Sequence, residues 1–552
     1  MRLVSAKKFV QERKIYFQEF HRHNTPQYAI LSHTWEEGQE VTYEDCKSLS
    51  TSCENKRGYE KISWTCRLAI EDGIEFVWID TCCIDKSSSA ELTEAINSMF
   101  QWYQRAVVCY AYLSDLDDTV DTMSFEDCRW FRRGWTLQEL IAPRAIGFFN
   151  YTWDLIGSKD SLLADLSKIT RIDTGILDHS RPLSSACVAK RFSWAANRET
   201  TREEDIAYCL LGIFNVNMPM LYGEGENAFR RLQEEVIRST YDLSIFAWSC
   251  RNEQQQQYCG FLARSPNSFS SLSSMYLTTD PFEDEGEMII TNKGIQIKAG
   301  CFVISRRNGE VCYALGLDCA VADAPEQYLF VPMRKTGPGI YARTSLSESD
   351  YFALGCTISS WKHLSTVVLL TTLPSNLSMR PPRAPIQDMV STVRFAVVEI
   401  KLVSDFVHQN PGPLPERYWD AQDSAFFSTR RSLDNWGAYT MRFENCTIMF
   451  LCYWYKEHSE WVFEGTMFSL DRKSLYAVLK DLYIIEQGPH QGPSIVKELT
   501  NYHGIGYKTE IWTETTQGNA SKTSFTVERA DDSQICSGPR WIVRITAEQG
   551  RV

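Results

Sequence analysis

Apolar residues in the first 175 positions follow two patterns. Four short runs, Tyr28–Leu31 (YAIL), Phe76–Ile79 (FVWI), Val107–Leu113 (VVCYAYL) and Ala145–Phe149 (AIGFF), show no alternation with polar residues. Runs of this kind belong to strands covered on both faces. Between them, apolar residues recur at helical spacing. Ile62, Cys66, Ala69 and Ile70 share one face of a helix over 59–72. Leu92, Ala95, Ile96, Met99, Phe100 and Tyr103 share a face over 91–105, with Ser87–Ser89 offering caps. A third helix spans 131–141 and stops before Pro143. The order β-α-β-α-β-α-β with right-handed crossovers predicts an α/β domain over residues 1–175, with an open, mostly parallel sheet.

The pattern then changes twice. Residues 176–250 read as a helical segment, with Ile206, Leu210 and Phe214 on one face and Phe229, Leu232, Val236 and Ile237 on another. The polar run Asn252–Gln257 reads as a linker. Residues 251–552 carry short β-type runs, among them Met288–Ile297, Cys301–Ser305, Val311–Leu317, Val393–Leu402, Cys446–Tyr455 and Trp541–Ile545. Breaks rich in Pro and Gly fall at Pro374–Pro385 and Asn410–Pro415. This is the pattern of an all-β domain, a sandwich or a relative of one.

Charge and cysteine content narrow the function classes. The 57 Lys and Arg against 70 Asp and Glu give a net charge of −13, which argues against a nucleic-acid partner. No apolar stretch reaches the ~20 residues of a membrane span. The opening MRLVSAKKFVQERK has no apolar signal core. The 18 cysteines are too sparse for a disulfide scaffold of this length. These features predict a cytoplasmic chain with no membrane span.

Motifs for known chemistry are few. There is no C-x-x-C and no H-E-x-x-H, so no metal is expected. Gly223-Glu-Gly-Glu-Asn-Ala228 fits a relaxed dinucleotide fingerprint, but Pro219 makes the preceding segment a poor central strand. The fingerprint therefore reads as a glycine turn leading into a helix, and an oxidoreductase using Gly223 and Gly225 ranks last. No P-loop occurs.

The C-terminal ends of the four strands carry more information, because open α/β sheets bind ligands there. They read Ser32-His33-Thr34-Trp35, Asp80-Thr81-Cys82-Cys83-Ile84-Asp85, Ser114-Asp115 and Asn150-Tyr151. On the third helix, Trp135 and Glu139 stand at i and i+4 and share a face. A ring one turn from a carboxylate can stack a base while the acid grips a sugar. On spacing alone, a core Trp beside a surface Glu paired with Arg132 or Arg133 is the simpler arrangement.

The segments YAILSHTW, FVWIDTCCIDKSSSAELTEAINSMFQWYQRA, CYAYLSD and WFRRGWTLQELIAPRAIGFF resemble the fungal heterokaryon incompatibility (HET) domain over roughly residues 1–160. Arg191–Ile237 resembles a block that often follows HET domains. The resemblance implies a cytosolic effector of non-self recognition whose activation leads to cell death. HET domains in turn resemble, more remotely, Toll/interleukin-1 receptor (TIR) domains. Some of those cleave NAD with a glutamate in a W-C-x-x-E-[LI] helix between the third and fourth strands. Trp135-Thr-Leu-Gln-Glu139-Leu140 is similar, with Thr136 in place of the usual Cys.

By that analogy Glu139 is the catalytic candidate. Ser32, His33, Trp35, Asp80 and Trp135 line the substrate site. NAD is a substrate, and no cofactor is implied. The competing reading is a non-enzymatic signalling module that forms a homo-oligomer on activation by an unidentified protein trigger. The β-rich remainder is expected to restrain the HET domain through residues 191–250.

Overall fold

The computed structural model describes residues 1–21, 24–47, 51–116, 124–249, 258–278 and 286–299, and beyond these a series of β-strands that ends at residue 550. The linker read at 252–257 and the break read at 374–385 lie outside the described residues.

The N-terminal part is built on a seven-stranded sheet: β1 (Arg2–Ser5), β2 (Phe17–Glu19), β3 (Ala29–His33), β4 (Phe76–Trp78), β5 (Val108–Tyr112), β6 (Ile146–Phe149) and β7 (Leu155–Ser158). Their spatial order is β2-β1-β4-β3-β5-β6-β7. The inner four, β4-β3-β5-β6, are parallel, in register Ala29 to Val77, Ala29 to Val108 and Cys109 to Ile146. These are the four strands read from the apolar runs, and every residue of β3 is buried. The sheet as a whole is mixed rather than mostly parallel, because β1, β2 and β7 add antiparallel edges. Each of the three is short and half polar, so none produces an uninterrupted apolar run.

Helices cover the sheet. Arg57–Glu71 buries Ile62, Cys66 and Ala69, whereas Ile70, placed on the same face by periodicity, is exposed. Ser89–Arg105 starts at Ser88, whose hydroxyl accepts the Glu91 N–H, and buries Ala95, Ile96, Met99 and Tyr103. The third helix is shorter than periodicity suggests: a turn of 3-10 helix at Arg129–Arg132 is followed by an α-helix at Thr136–Ile141. Gly134 separates them, and Glu199 is the cause. Its N–H donates to Arg132 O at 2.7 Å and its carbonyl accepts the Gly134 N–H at 2.9 Å. A Cβ on Gly134 would come within 2.6 Å of Thr200 Cγ2.

Short helices at Thr174–Leu177, Val188–Ser193, Asp205–Tyr208, Leu211–Phe214 and Asn227–Ser239 follow. The last buries the predicted face of Phe229, Leu232, Val236 and Ile237. The remainder is β-rich, with strands in nine-, six- and four-stranded sheets and a two-stranded pair. Phe450 of the four-stranded sheet meets Phe525 of the six-stranded one, ring centroids 5.0 Å apart. Gln409–Leu414, read from sequence as a Pro/Gly break, is instead an irregular edge strand. Prolines are tolerated there because one side of an edge strand needs no ladder hydrogen bonds. Among the described residues, no helix is long and apolar enough to cross a membrane.

Candidate functional site

The chain enters the parallel core at β3, moves to β4 on one side, then crosses to β5 on the other. That reversal leaves a crevice beyond the ends of β3 and β5, where doubly wound sheets hold their ligands. Successive strand residues point to opposite faces, so Ser32 and His33, the last two residues of β3, organise two different clusters.

Ser32 faces the Glu139 helix. Its hydroxyl donates to Glu139 Oε2 at 2.5 Å and accepts the Trp130 indole N–H at 2.8 Å. The Tyr103 hydroxyl donates to Leu31 O at 3.0 Å and is also hydrogen-bonded to Glu139. Glu139 is only 6% exposed. It is therefore not the surface carboxylate expected from spacing, because its helix lies inside the fold with every residue buried. Burial pushes its carboxyl up to about 8, against the pull of the Ser32 hydroxyl, and the negative charge of Asp80 adds to the push. The acid is thus mostly neutral near pH 7. The far end of its helix is fixed by Lys159, whose ammonium donates to Pro143 O at 2.8 Å, and by His179, whose Nε2 lies 2.9 Å from Ile141 O.

His33 faces the second cluster. Its Nε2 lies 3.0 Å from Asp80 Oδ1, and Asp80 Oδ2 accepts the Trp35 indole N–H at 3.0 Å. Burial raises the Asp80 carboxyl, but its bond and charge interaction with His33, the Lys86 charge and the Trp35 bond outweigh that and hold it below the ordinary range. On the other side of the imidazole, Nδ1 is 3.9 Å from Glu40 Oε2, too far for a hydrogen bond, and both atoms are buried without a partner. The other Glu40 oxygen takes the Lys61 ammonium at 2.5 Å, and Lys61 also donates to Thr34 O at 3.1 Å. Trp35 is 40% exposed at the mouth, with the Lys86 ammonium 3.4 Å from its ring centroid. Ser114 and Asp115, beyond β5, close the far side. Ser114 Oγ is 3.3 Å from Thr34 Oγ1, and Asp115 accepts the Arg129 N–H at 2.8 Å.

The structure thus pairs Ser32 with Glu139, and His33 and Trp35 with Asp80, in two neighbouring clusters beyond the ends of the strands, with the Asp80 charge acting on Glu139. Trp135 stands apart: it precedes the helix, and its indole bonds Asp205, which also accepts the Tyr222 hydroxyl at 3.0 Å. Trp130, Tyr103, Glu40, Lys61 and Lys86 belong to the crevice and were not singled out from sequence. Trp130 and Tyr103 sat inside motifs already noted, but no spacing rule links either to Ser32, 98 residues from Trp130.

The other sequence features find structural explanations. Gly223 and Gly225, both at positive φ, donate their N–H groups to Glu204 Oε1 at 2.7 and 3.1 Å. The glycine turn therefore already holds an internal carboxylate where a dinucleotide fingerprint would hold pyrophosphate. Cys82 and Cys83 are buried, and the Ile79 N–H points at Cys83 Sγ. Among the described residues, no group of His, Cys, Asp or Glu is arranged to hold a metal ion. A polar cleft of about 840 Å³ opens near the start of β3, lined by residues including Tyr28, Asn97, Trp102 and Arg105, at the edge of the sheet opposite the crevice.

Comparison with known proteins places this domain. Residues 28–125 match the family model described as Heterokaryon incompatibility protein (HET), and residues 227–287 match one described as Domain of unknown function (DUF8212). The chain is similar to "Vegetative incompatibility protein HET-E-1" of Podospora anserina, 48% identical over 221 residues. The match covers 38% of this chain and 16% of that protein. Residues 28–125, within the N-terminal α/β part, are those that match the heterokaryon incompatibility family.

Proposed function

We propose that the chain acts in vegetative incompatibility as a cytosolic effector whose HET domain triggers cell death by cleaving the nicotinamide–ribose bond of NAD. The observation that carries this reading is the convergence of Ser32, His33, Asp80 and Glu139 at the reversal point of the sheet, with Trp35 exposed at the mouth. Breaking that bond develops positive charge on the ribose, as in glycoside hydrolysis. A carboxylate beside the ribose stabilises the charge. Nicotinamide leaves as a neutral ring and needs no proton. Glu139 is the candidate for that role, with Ser32 orienting it and Asp80 close by. The remote likeness of the Trp135–Leu140 helix to the TIR glutamate motif supports the assignment.

The depth of Glu139 sets a condition on this reading. A neutral acid, 6% exposed and bonded to Ser32, does not touch substrate in this arrangement. The described state is then a resting one, and activation has to open the crevice and ionise the acid. The same burial favours a second reading, in which the crevice is a structural core and the HET domain signals by oligomerising with partners.

The purified chain, incubated with NAD under conditions in which its expression kills cells, separates the two. Release of free nicotinamide is expected, falling about 10²–10³-fold in Glu139→Gln. A toxic chain that leaves NAD intact would overturn the enzymatic reading and leave the signalling module.

A further inference from the structure

The helix that carries Glu139 does not depend on the α/β sheet alone. We propose that Arg198, which lies beyond the sheet in the following helical segment, is a positioning residue that holds the Ser32–Glu139 pair in register through Thr136 and Trp130. The inference rests on Glu139 being the working carboxyl of the crevice.

The geometry is a chain of hydrogen bonds. Arg198 Nη1 donates to Arg133 O at 2.8 Å and to Thr136 Oγ1 at 3.1 Å, and its Nε donates to Trp194 O at 3.1 Å. Thr136 Oγ1 in turn contacts Trp130 O. Trp130 donates its indole N–H to Ser32 Oγ, and Ser32 donates to Glu139. Arg198 therefore reaches both ends of the break at Gly134, where a 3-10 turn gives way to the Glu139 helix. Its neighbour Glu199 pins the same break through two backbone bonds. Thr136 Oγ1 also donates to Arg133 O at 2.9 Å, so Arg198 clasps two residues that are themselves bonded across the break.

Charge adds a second argument. Arg198 is a buried guanidinium whose hydrogen bonds all go to neutral oxygens. An arginine stays protonated in proteins, so a positive charge is fixed inside the fold, and Glu139 is the carboxylate that interacts with it. The other groups facing Glu139 are Ser32 on β3, Asp80 after β4, Tyr103 on the Ser89–Arg105 helix, Cys109 on β5, Arg133 at the break and Cys209 in the helical segment. Asp80 opposes ionisation of Glu139, while Arg133 and Arg198 favour it. The positioning arginine is thus also a countercharge, ready for the moment the acid loses its proton.

The test reads the ionisation of Glu139 without using NAD, so it stands or falls separately from the proposed reaction. Thermal unfolding of the full chain is followed from pH 5.5 to 9.5 with and without Glu139→Gln. The difference between the two curves isolates the Glu139 titration. It is repeated in Arg198→Gln, which removes the charge, and in Arg198→Lys, which keeps it but loses the planar fork. The titration midpoint is expected to rise by about one pH unit or more in Arg198→Gln and by less in Arg198→Lys.

An unmoved midpoint in Arg198→Gln would overturn the proposal and leave Arg198 a structural tie. Should Arg198→Gln not fold, Thr136→Val answers instead. It cuts the chain between Arg198 and Trp130, loosens Ser32 from Glu139 and is expected to raise the midpoint. No rise there would overturn the proposal equally. Where nicotinamide release is measurable, Arg198→Gln should lower the turnover rate with little change in the half-saturating NAD concentration. The reverse pattern would mark it as a substrate-binding residue and overturn the positioning role.

Discussion

Glu139→Gln should make the protein more stable at alkaline pH, relative to wild type, and the effect should grow with pH. The carboxyl has an ordinary value of 4.5 and is pushed by burial to about 8 in the fold. The folded state therefore holds the proton more tightly than the unfolded chain. Its full contribution to stability is present below pH 4.5 and is lost as pH rises from there to about 8. Within that window each pH unit costs roughly 1.4 kcal/mol. Between pH 6 and pH 8 the loss is then about 2 kcal/mol, a few degrees in melting temperature for a unit of ~150–250 residues.

Glutamine matches the neutral acid in shape and can still accept from Ser32, but it does not titrate. Melting curves of the two full-length proteins, taken in half-unit steps at constant ionic strength, should diverge steadily from pH 6 and run parallel again above pH 8.5. A constant gap would mean that Glu139 does not titrate in this window. A wild type that gains on the variant as pH rises would mean a carboxylate held charged by its neighbours. Either result would refute the burial argument.

Three further outcomes are expected. Lys61→Met should cost about 3–5 kcal/mol in chemical denaturation, because it strands Glu40 as a buried charge, and adding Glu40→Gln should recover most of that; a loss under 1 kcal/mol would show that the pair is hydrated. Gly212→Ala should destabilise by ~1–3 kcal/mol, since the new Cβ would fall 2.1 Å from Phe100 Cβ, where the helical segment packs on the Ser89–Arg105 helix; a neutral result would mean that contact is slack. Arg343→Met should loosen the joint between the β-rich part and the helical segment, seen as faster amide hydrogen exchange over Leu243–Trp248. If the β-rich part restrains the HET domain, the same variant should be more toxic than wild type at equal abundance.

The parallel core was legible because both faces of its strands are covered, which turns β3 to β6 into unbroken apolar runs. The strand ends carrying Ser32 and Asp80 followed from topology, whereas Glu139 entered only through the resemblance to the TIR glutamate motif. The depth of Glu139 was not legible. The i to i+4 rule says which residues share a helix face, not whether the helix itself is enclosed. Thr136–Ile141 is enclosed because Arg198 and Glu199, some sixty residues later, fold over its start. Trp135, just before that helix, bonds Asp205 of the same later segment. Glu40 and Lys61 escaped notice because a buried ion pair across 21 residues leaves no periodic trace. The glycine turn was read correctly as a turn, but its occupant, Glu204, could be named only from the fold.

The helical segment between the HET sheet and the β-rich part is bonded to both. On one side Arg198, Glu199 and Asp205 hold the Glu139 helix and Trp135. On the other, Gln233 exchanges two hydrogen bonds with the backbone of Ala263, at 2.8 and 2.9 Å, and the Trp248 indole donates to Phe261 O at 2.9 Å. Arg343, wholly buried in the β-rich part, donates to Phe246 O at 2.6 Å and to Trp248 O, with its guanidinium 3.9 Å from the Trp248 ring centroid. A displaced β-rich part would leave those carbonyls short of their donors, at a cost of about 1–3 kcal/mol each. A partner that pulls on it must supply that much differential affinity before the joint yields. If the joint yields, Arg198 couples its movement to the Ser32–Glu139 pair through Thr136 and Trp130. A fragment ending at residue 250 is therefore a poor mimic of the released state, since it strips the cover from Phe246 and Trp248 as well as removing the restraint. A change at Arg343 in the intact chain tests the coupling with the core still closed.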